Sequence, residues 1–289
     1  MPSGRPLLLG AHLSIQGGLH RAVERAQALG CTALQVFTRN NLRWGSPPLA
    51  AADAERFRAA WRASAIGPVV AHANYLVDLA SEDGEKGRLS LEGLVEDLRR
   101  AAVLGIPWLV LHPGYHKGRG EEAGLRQAAR RAAQALEATA GLPVGILLET
   151  TAGQGTALGW RFEHLARLLA ATALPRRLGV CLDTAHAFAA GYDLRRPAGY
   201  RRVLEQLDRA VGLERVQAVH VNDSKVPLGS RVDRHAHIGH GCIGPRAFRC
   251  LLRDPRLAEV PKLLETPKED AEGKDWDAAN LAALRRLAG

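Results

Sequence analysis

The chain has 289 residues, 46% of them apolar and 24% charged, which fits a soluble globular protein with a core large enough to need neither disulfides nor a structural metal. Its formal charge is +9, and 33 of its 39 basic residues are arginine, a balance that suits a polyanion such as nucleic acid but also a genome rich in G and C. No stretch approaches the roughly 18 consecutive apolar residues of a membrane span, the apolar run near the N-terminus is too short for a signal peptide, and Cys31, Cys181, Cys242 and Cys250 show no paired spacing, so a cytoplasmic protein with reduced thiols is expected.

Short apolar runs alternate with helical segments along the whole chain. The predicted strands are Leu7–Ala11, Ala33–Phe37, Pro68–Ala71, Trp108–Leu111, Gly145–Leu148, Leu178–Leu182, Gln217–Val221 and Lys262–Leu264. They are short and continuously apolar, as parallel strands buried on both faces should be. The amphipathic segments between them carry clear stops: Gly18–Leu29 ends at Gly30, Lys86–Leu104 at Gly105 and Glu121–Ala140 at Gly141. Eight such strand–helix units, with no linker between them, predict a single-domain (β/α)8 TIM barrel over residues 1–289.

Polar residues recur once per unit. At or just past the ends of the third to eighth strands stand His72, His112, Glu149, Asp183, His220 and Glu265, spaced 40, 37, 34, 37 and 45 residues apart. In a barrel these ends converge on one face, where active sites are built. Carboxylates and imidazoles packed together without a cation would repel or stay unsatisfied. A divalent metal resolves that conflict, and a donor set of imidazole and carboxylate without thiolate suits zinc, with manganese or iron also compatible. His186 lies three residues after Asp183, and the stretch after the seventh strand adds Asp233, His235, His237 and His240. So many donors imply two or three metals. In an extended segment Asp233, His235 and His237 share a face, so spacing leaves His235 and His237 equivalent. Asn222, Lys225, Ser230, Arg231 and Arg234 lie on the same loops and are candidate phosphate contacts. His12 ends the first strand, as a supporting or a core histidine; His20, His116 and His164 read as surface residues; Cys181 reads as packing inside the barrel.

Taken in order, these residues resemble the endonuclease IV family of apurinic/apyrimidinic (AP) endonucleases. The resemblance runs from Gly10-Ala-His-Leu-Ser14 to Leu264-Glu-Thr266. Its motifs include Phe37-Thr-Arg-Asn40, His72-Ala-Asn-Tyr-Leu76, Leu111-His-Pro-Gly114, Glu149-Thr-Thr-Ala-Gly-Gln-Gly155, Cys181-Leu-Asp-Thr-Ala-His186, His220-Val-Asn-Asp-Ser-Lys225 and Gly229-Ser-Arg-Val-Asp-Arg-His235. It implies three Zn2+ at the barrel mouth: the first on His72, His112 and Glu149; the second on Glu149, Asp183, His220 and Glu265; the third on His186, Asp233 and His235. It thereby favours His235 over His237. It also implies hydrolysis of the phosphodiester 5′ to an abasic site in double-stranded DNA, with Glu149 orienting the nucleophile, together with removal of blocking groups from 3′ ends. Tyr75 and Leu76 match residues that intrude into DNA in the family. Where the family has an arginine wedge this chain has Leu42, followed by Arg43, so either residue is a candidate. A monomer without a protein partner is expected. The competing reading is a metal-dependent sugar isomerase or epimerase on the same barrel, which leaves His186, Asp233 and His235 without a role.

Overall fold

Eight parallel strands close into a barrel: β1 (Leu9–Leu13), β2 (Ala33–Phe37), β3 (Val69–His72), β4 (Trp108–Leu111), β5 (Gly145–Glu149), β6 (Leu178–Asp183), β7 (Val216–His220) and β10 (Lys262–Leu264), which pairs back onto β1. The computed structural model describes residues 7–171, 174–268 and 275–289; the first six residues of the N-terminal stretch read for a signal peptide lie outside them. Among the described residues no helix is long and apolar enough to cross a membrane. Helices α1 (Leu19–Ala28), α2 (Ala51–Arg62), α3 (Glu85–Leu104), α4 (Glu121–Ala138), α5 (Phe162–Ala170), α6 (Thr184–Ala190), α7 (Pro197–Val211), α8 (Pro245–Leu252) and α9 (Trp276–Ala288) follow in chain order. The chain is therefore a single-domain TIM barrel, as its pattern predicts.

The helix stops are where backbone chemistry requires them. Gly105 caps α3 in the left-handed region (φ 79°), its amide donating to the Ala102 carbonyl at 3.0 Å and the following Ile106 amide to the Ala101 carbonyl at 2.8 Å, and Pro107 follows. A side chain at that φ would be strained. The first strand differs from its expected span. It starts at Leu9 because the Thr32 hydroxyl occupies the entry position, donating to the Leu7 carbonyl and accepting from the Leu9 amide at 2.9 Å. At its other end β1 runs on to Leu13, so His12 lies inside the strand and does not end it.

Two cores result. The large one fills the space between the outer strand faces and the helices, with Leu94, Leu98 and Ala101 of α3 among its members. The small one fills the barrel itself and consists of Ala33, Val70, Val110, Leu147, Cys181, Ala218 and Leu263, one from each of seven strands. Cys181 thus packs inside the barrel as expected. Two residues further along the same strands stand Gln35, His72, His112, Glu149, Asp183, His220 and Glu265. Side chains alternate with period two in a strand. The apolar plug and the polar ring above it are therefore successive layers of one register.

The loops at the mouth are tied down from below. Arg39 and Asp97 form a buried ion pair (Nε to Oδ1, 2.6 Å), and Arg39 also donates to the carbonyls of Arg43 (3.1 Å) and Trp44 (2.7 Å). The Asn74 amide group donates to the carbonyls of Asn40 (3.0 Å) and Arg43 (2.7 Å). A buried charge is tolerable only when paired and fully hydrogen-bonded; here that requirement fixes the loop carrying Leu42.

Candidate metal centre

Glu149 is the hub. It ends β5 fully buried, and its two oxygens face different neighbours. Oε2 lies 3.1 Å from His112 Nε2 and 3.4 Å from His72 Nε2. Oε1 lies 3.0 Å from His220 Nδ1 and 3.2 Å from His186 Nδ1. Asp183 ends β6 and caps α6, accepting the His186 amide at 2.7 Å, so the turn that stops the strand also aims His186 at the hub. Glu265, just past β10, lies 3.0 Å from His220 Nδ1 through Oε2.

The donor atoms fall into three sets, within each of which they lie no more than 4.8 Å apart: His72, His112 and Glu149; Glu149, Asp183, His220 and Glu265; and Asp183, His186 and His235. Asp233 adjoins the last set, 3.2 Å from His186 Nε2 and 3.5 Å from His235 Nε2. All nine residues singled out from the sequence meet at this mouth. Asp183 is shared between the second and third sets, which sequence spacing did not indicate.

Ring nitrogens of these histidines are also held by surrounding groups, and in His186 the nitrogen so held is the one that approaches Glu149. His72 Nδ1 bonds the Ala73 carbonyl (2.8 Å), His186 Nδ1 the Thr150 carbonyl (2.9 Å) and His235 Nδ1 the Glu265 carbonyl (3.1 Å). His220 is turned the other way round, with Nε2 2.8 Å from Gln35 Oε1 and Nδ1 inward. Such outer bonds fix ring orientation and tautomer in metal sites. Gln35 also donates to Glu265 (2.6 Å) and is fully buried. Sequence reading missed it because glutamine is not a ligand type. Counting two residues on from Ala33 in β2 would have found it.

Asn222 is a correction. It was expected among the phosphate contacts, but it is 0% exposed: its amide donates to Asp183 Oδ2 (2.7 Å) and accepts from the Glu265 backbone (2.8 Å). It holds two carboxylates of the cluster from behind. His164, read as a surface residue, is buried, its Nε2 3.3 Å from Glu121.

Several donors remain unsatisfied. Glu149 Oε2, His186 Nε2 and His235 Nε2 are buried without a hydrogen-bond partner. Buried polar atoms left this way call for an ion or another ligand. Burial pushes the Glu149 carboxyl up, yet His220 and His112 beside it hold it well below the usual carboxylate range. Burial likewise opposes the charged forms of His220 and His186, and the surrounding acidic groups outweigh it, raising both imidazoles well above their ordinary values. Burial disfavours the Asp233 carboxylate too, but His186 and His235 draw it down to about 2. The cluster therefore seeks positive charge from any source, proton or metal. Its all-imidazole and carboxylate donor set fits divalent zinc, manganese or iron.

The opening of the barrel is lined by His72, Tyr75, His112, Tyr115, His186, Lys225, Asp233, Arg234 and Glu265, around a cavity of about 640 Å³. A two-residue antiparallel pair, β8 (Asp223–Ser224) with β9 (His235–Ala236), swings His235 over it. Asp223 anchors the turn beyond β9 by accepting the amides of Gly239 (3.0 Å), Gly241 (3.2 Å) and Ile243 (2.9 Å). His237 and His240 are engaged elsewhere. His237 stacks on Trp276, with ring centroids 3.7 Å apart, and His240 meets the same ring edge-on at 5.3 Å.

The family model described as a xylose isomerase-like TIM barrel matches residues 23–287. A protein of Oleidesulfovibrio alaskensis named probable endonuclease 4 is 53% identical over 281 residues, covering 97% of this chain and 95% of its own length. One of Chloroflexus aurantiacus bearing the same name is 50% identical over 278 residues, covering 96% and 97%. The crystal structure of endonuclease IV from Thermus thermophilus matches with a TM-score of 0.85 and 44% identity over 98% of each chain.

The chain belongs to the endonuclease IV family.

Within this endonuclease IV family member, the apolar side chains expected to meet substrate stand free at the rim. Leu42 is 68% and Tyr75 55% exposed, and Leu76 is half-buried beside them. Tyr75 rests edge-on against His72, with centroids 5.5 Å apart, so a residue at the surface touches a residue of the cluster. Arg43, Lys225, Arg231 and Arg234 are exposed, whereas the Ser230 hydroxyl oxygen is buried. Tyr115, 42% exposed and not singled out from the sequence, lines the same cavity as Tyr75.

Proposed function

We propose that the chain hydrolyses the phosphodiester 5′ to an abasic site in duplex DNA, leaving a 3′-hydroxyl and a 5′-deoxyribose phosphate, and that it also cleans blocked 3′ ends. The observation that carries this reading is Glu149, whose two oxygens are divided between separate donor sets at one mouth. In this reading three Zn2+ are held by His72, His112 and Glu149; by Glu149, Asp183, His220 and Glu265; and by His186, Asp233 and His235, with Asp183 within reach of the last. Bound there, such ions supply Lewis-acid polarisation of the phosphodiester and acidify the attacking water.

The chain's own groups do the rest. Glu149 orients the water through whichever oxygen lone pair its neighbours leave free. Gln35 and Asn222 keep Glu265 and Asp183 from rotating. Tyr75, Leu76 and either Leu42 or Arg43 enter the duplex, where a missing base makes unstacking easier. Lys225, Arg231 and Arg234 hold phosphates along the rim. The sugar epimerase alternative gives no task to His186, Asp233 and His235, which stand here beside the other donors.

The test is a duplex with one abasic site incubated without added magnesium. Incision leaving a 3′-hydroxyl is expected. No incision by protein carrying its full zinc complement would refute the reading, and metal analysis giving one ion per chain would favour the epimerase.

A further inference from the structure

Trp160 lies just outside the mouth, and two guanidiniums sit over its ring: Arg231 with Cζ 3.9 Å and Arg161 with Cζ 4.3 Å from the ring centroid. The ring is held in place. Its indole nitrogen donates to Glu121 at 2.9 Å, and Gly153 packs so closely that a Cβ there would come within 3.0 Å of Trp160. Both arginines are exposed, and among the described residues neither forms an ion pair. Other exposed arginines, such as Arg88 and Arg126, pair with carboxylates on their own helices.

The stack is coupled to the cluster. Arg231 precedes Asp233 by two residues, and the Asp233 amide donates to Gln154 Oε1 at 2.8 Å, next to Gly153. Arg231 itself adopts a left-handed backbone (φ 54°), its amide donating to the Ala189 carbonyl at 2.9 Å. Such a conformation is costly for a side-chain-bearing residue and persists only when its surroundings enforce it.

We propose that Arg161, Trp160 and Arg231 form a preassembled platform for the duplex backbone, extending the DNA footprint outward from the third donor set. Arg161, at the start of α5, is the new contact, and Trp160 is the residue that positions it. A guanidinium stacked on an aromatic face keeps its N–H edge free for phosphate and has already lost the rotational freedom that binding would otherwise remove. The platform reads phosphate only, so it acts on damaged and undamaged duplex alike.

The inference rests on the proposed action on DNA, and its test is separate from incision. Affinity for a short undamaged duplex is measured against sodium chloride concentration. Arg161→Ala is expected to make the slope of log K against log[salt] shallower by about 0.9, while Arg161→Lys keeps it. In the wild type, duplex binding is expected to change tryptophan emission, and Trp160→Phe should remove that change. An unchanged slope in Arg161→Ala overturns the platform, whatever the enzyme does to abasic DNA. A shallower slope in Arg161→Ala, where fully zinc-loaded wild type incises nothing, leaves the platform standing and refutes the proposed function.

Discussion

At the scale of the residue, the cluster depends on side chains that face two ways. Glu149 is the extreme case, since each oxygen belongs to a different donor set. Glu149→Gln is isosteric but removes the charge and one acceptor. It is expected to lower the incision rate by about 10³-fold or more while duplex binding, measured by anisotropy, persists. Lost binding with intact turnover would contradict the role assigned here. Gln35 acts at one remove: it bonds His220 on the side away from the cluster and Glu265 on another. Gln35→Leu keeps the volume roughly constant and frees both partners. Metal affinity, measured by chelator competition, is expected to fall about 10–100-fold, with the fold intact by circular dichroism. His12 sits beside these residues, Nδ1 3.0 Å from Glu265. Burial holds it down to about 4, so it stands there as a neutral imidazole near neutral pH.

At the scale of the element, a strand does two jobs at once in this barrel, and β10 shows the tension. Its central residue, Leu263, plugs the barrel, while its first residue, Lys262, is only 1% exposed with its ammonium donating to the Leu257 carbonyl. Burial drives that lysine down to about 8 from its usual 10.5, with Asp254 and Glu259 only partly compensating. The unfolded chain therefore binds more protons than the folded one between those values. This group's penalty is complete below pH 8, fades as pH rises, and is gone above 10.5. Denaturation profiles of wild type and Lys262→Met should accordingly diverge at lower pH and converge as pH climbs from 8 to 10.5; parallel curves would show that the lysine is not strained. The strands themselves were legible in the sequence because buried parallel strands are apolar throughout. The β8–β9 pair was not, because two residues carry no period, and neither was the Trp160 stack, whose second guanidinium, Arg231, is 71 residues (231 − 160) from the ring in the chain. His164 was misread for a related reason: its partner Glu121 is remote in sequence and supplies the bond that lets it be buried.

At the scale of the whole molecule, the folded chain assembles an excess of unsatisfied donors at one end of its barrel. Metals that bind this arrangement, and not the unfolded chain, stabilise it by mass action. Zinc at about 100-fold over its dissociation constant is expected to add roughly 2.7 kcal/mol per independent site, visible as a rise in Tm that a chelator reverses. A Tm indifferent to zinc and chelator would contradict a metal centre at these residues. The six strand-end donors that meet at the mouth were legible from sequence because one fold repeats one unit, so each strand end returns the same position in space. Asn222 was misplaced because that same regularity says nothing about depth: it stands two residues past His220, on a loop, yet beneath the cluster instead of above it.

The two-layer register has a further consequence, for how such a gene can change. A single codon gained or lost within β3 would exchange the faces of Ala71 and His72, sending an imidazole into the helix layer and a methyl group to the mouth. The same holds for each strand that contributes to the plug and the ring. Loops have no such face register, although the one bearing Leu42 is itself pinned at Asn40, Arg43 and Trp44. Drift in length should therefore gather in the rim that meets DNA and spare the strands entirely, so that substrate contacts vary among relatives while the metal ring stays in frame.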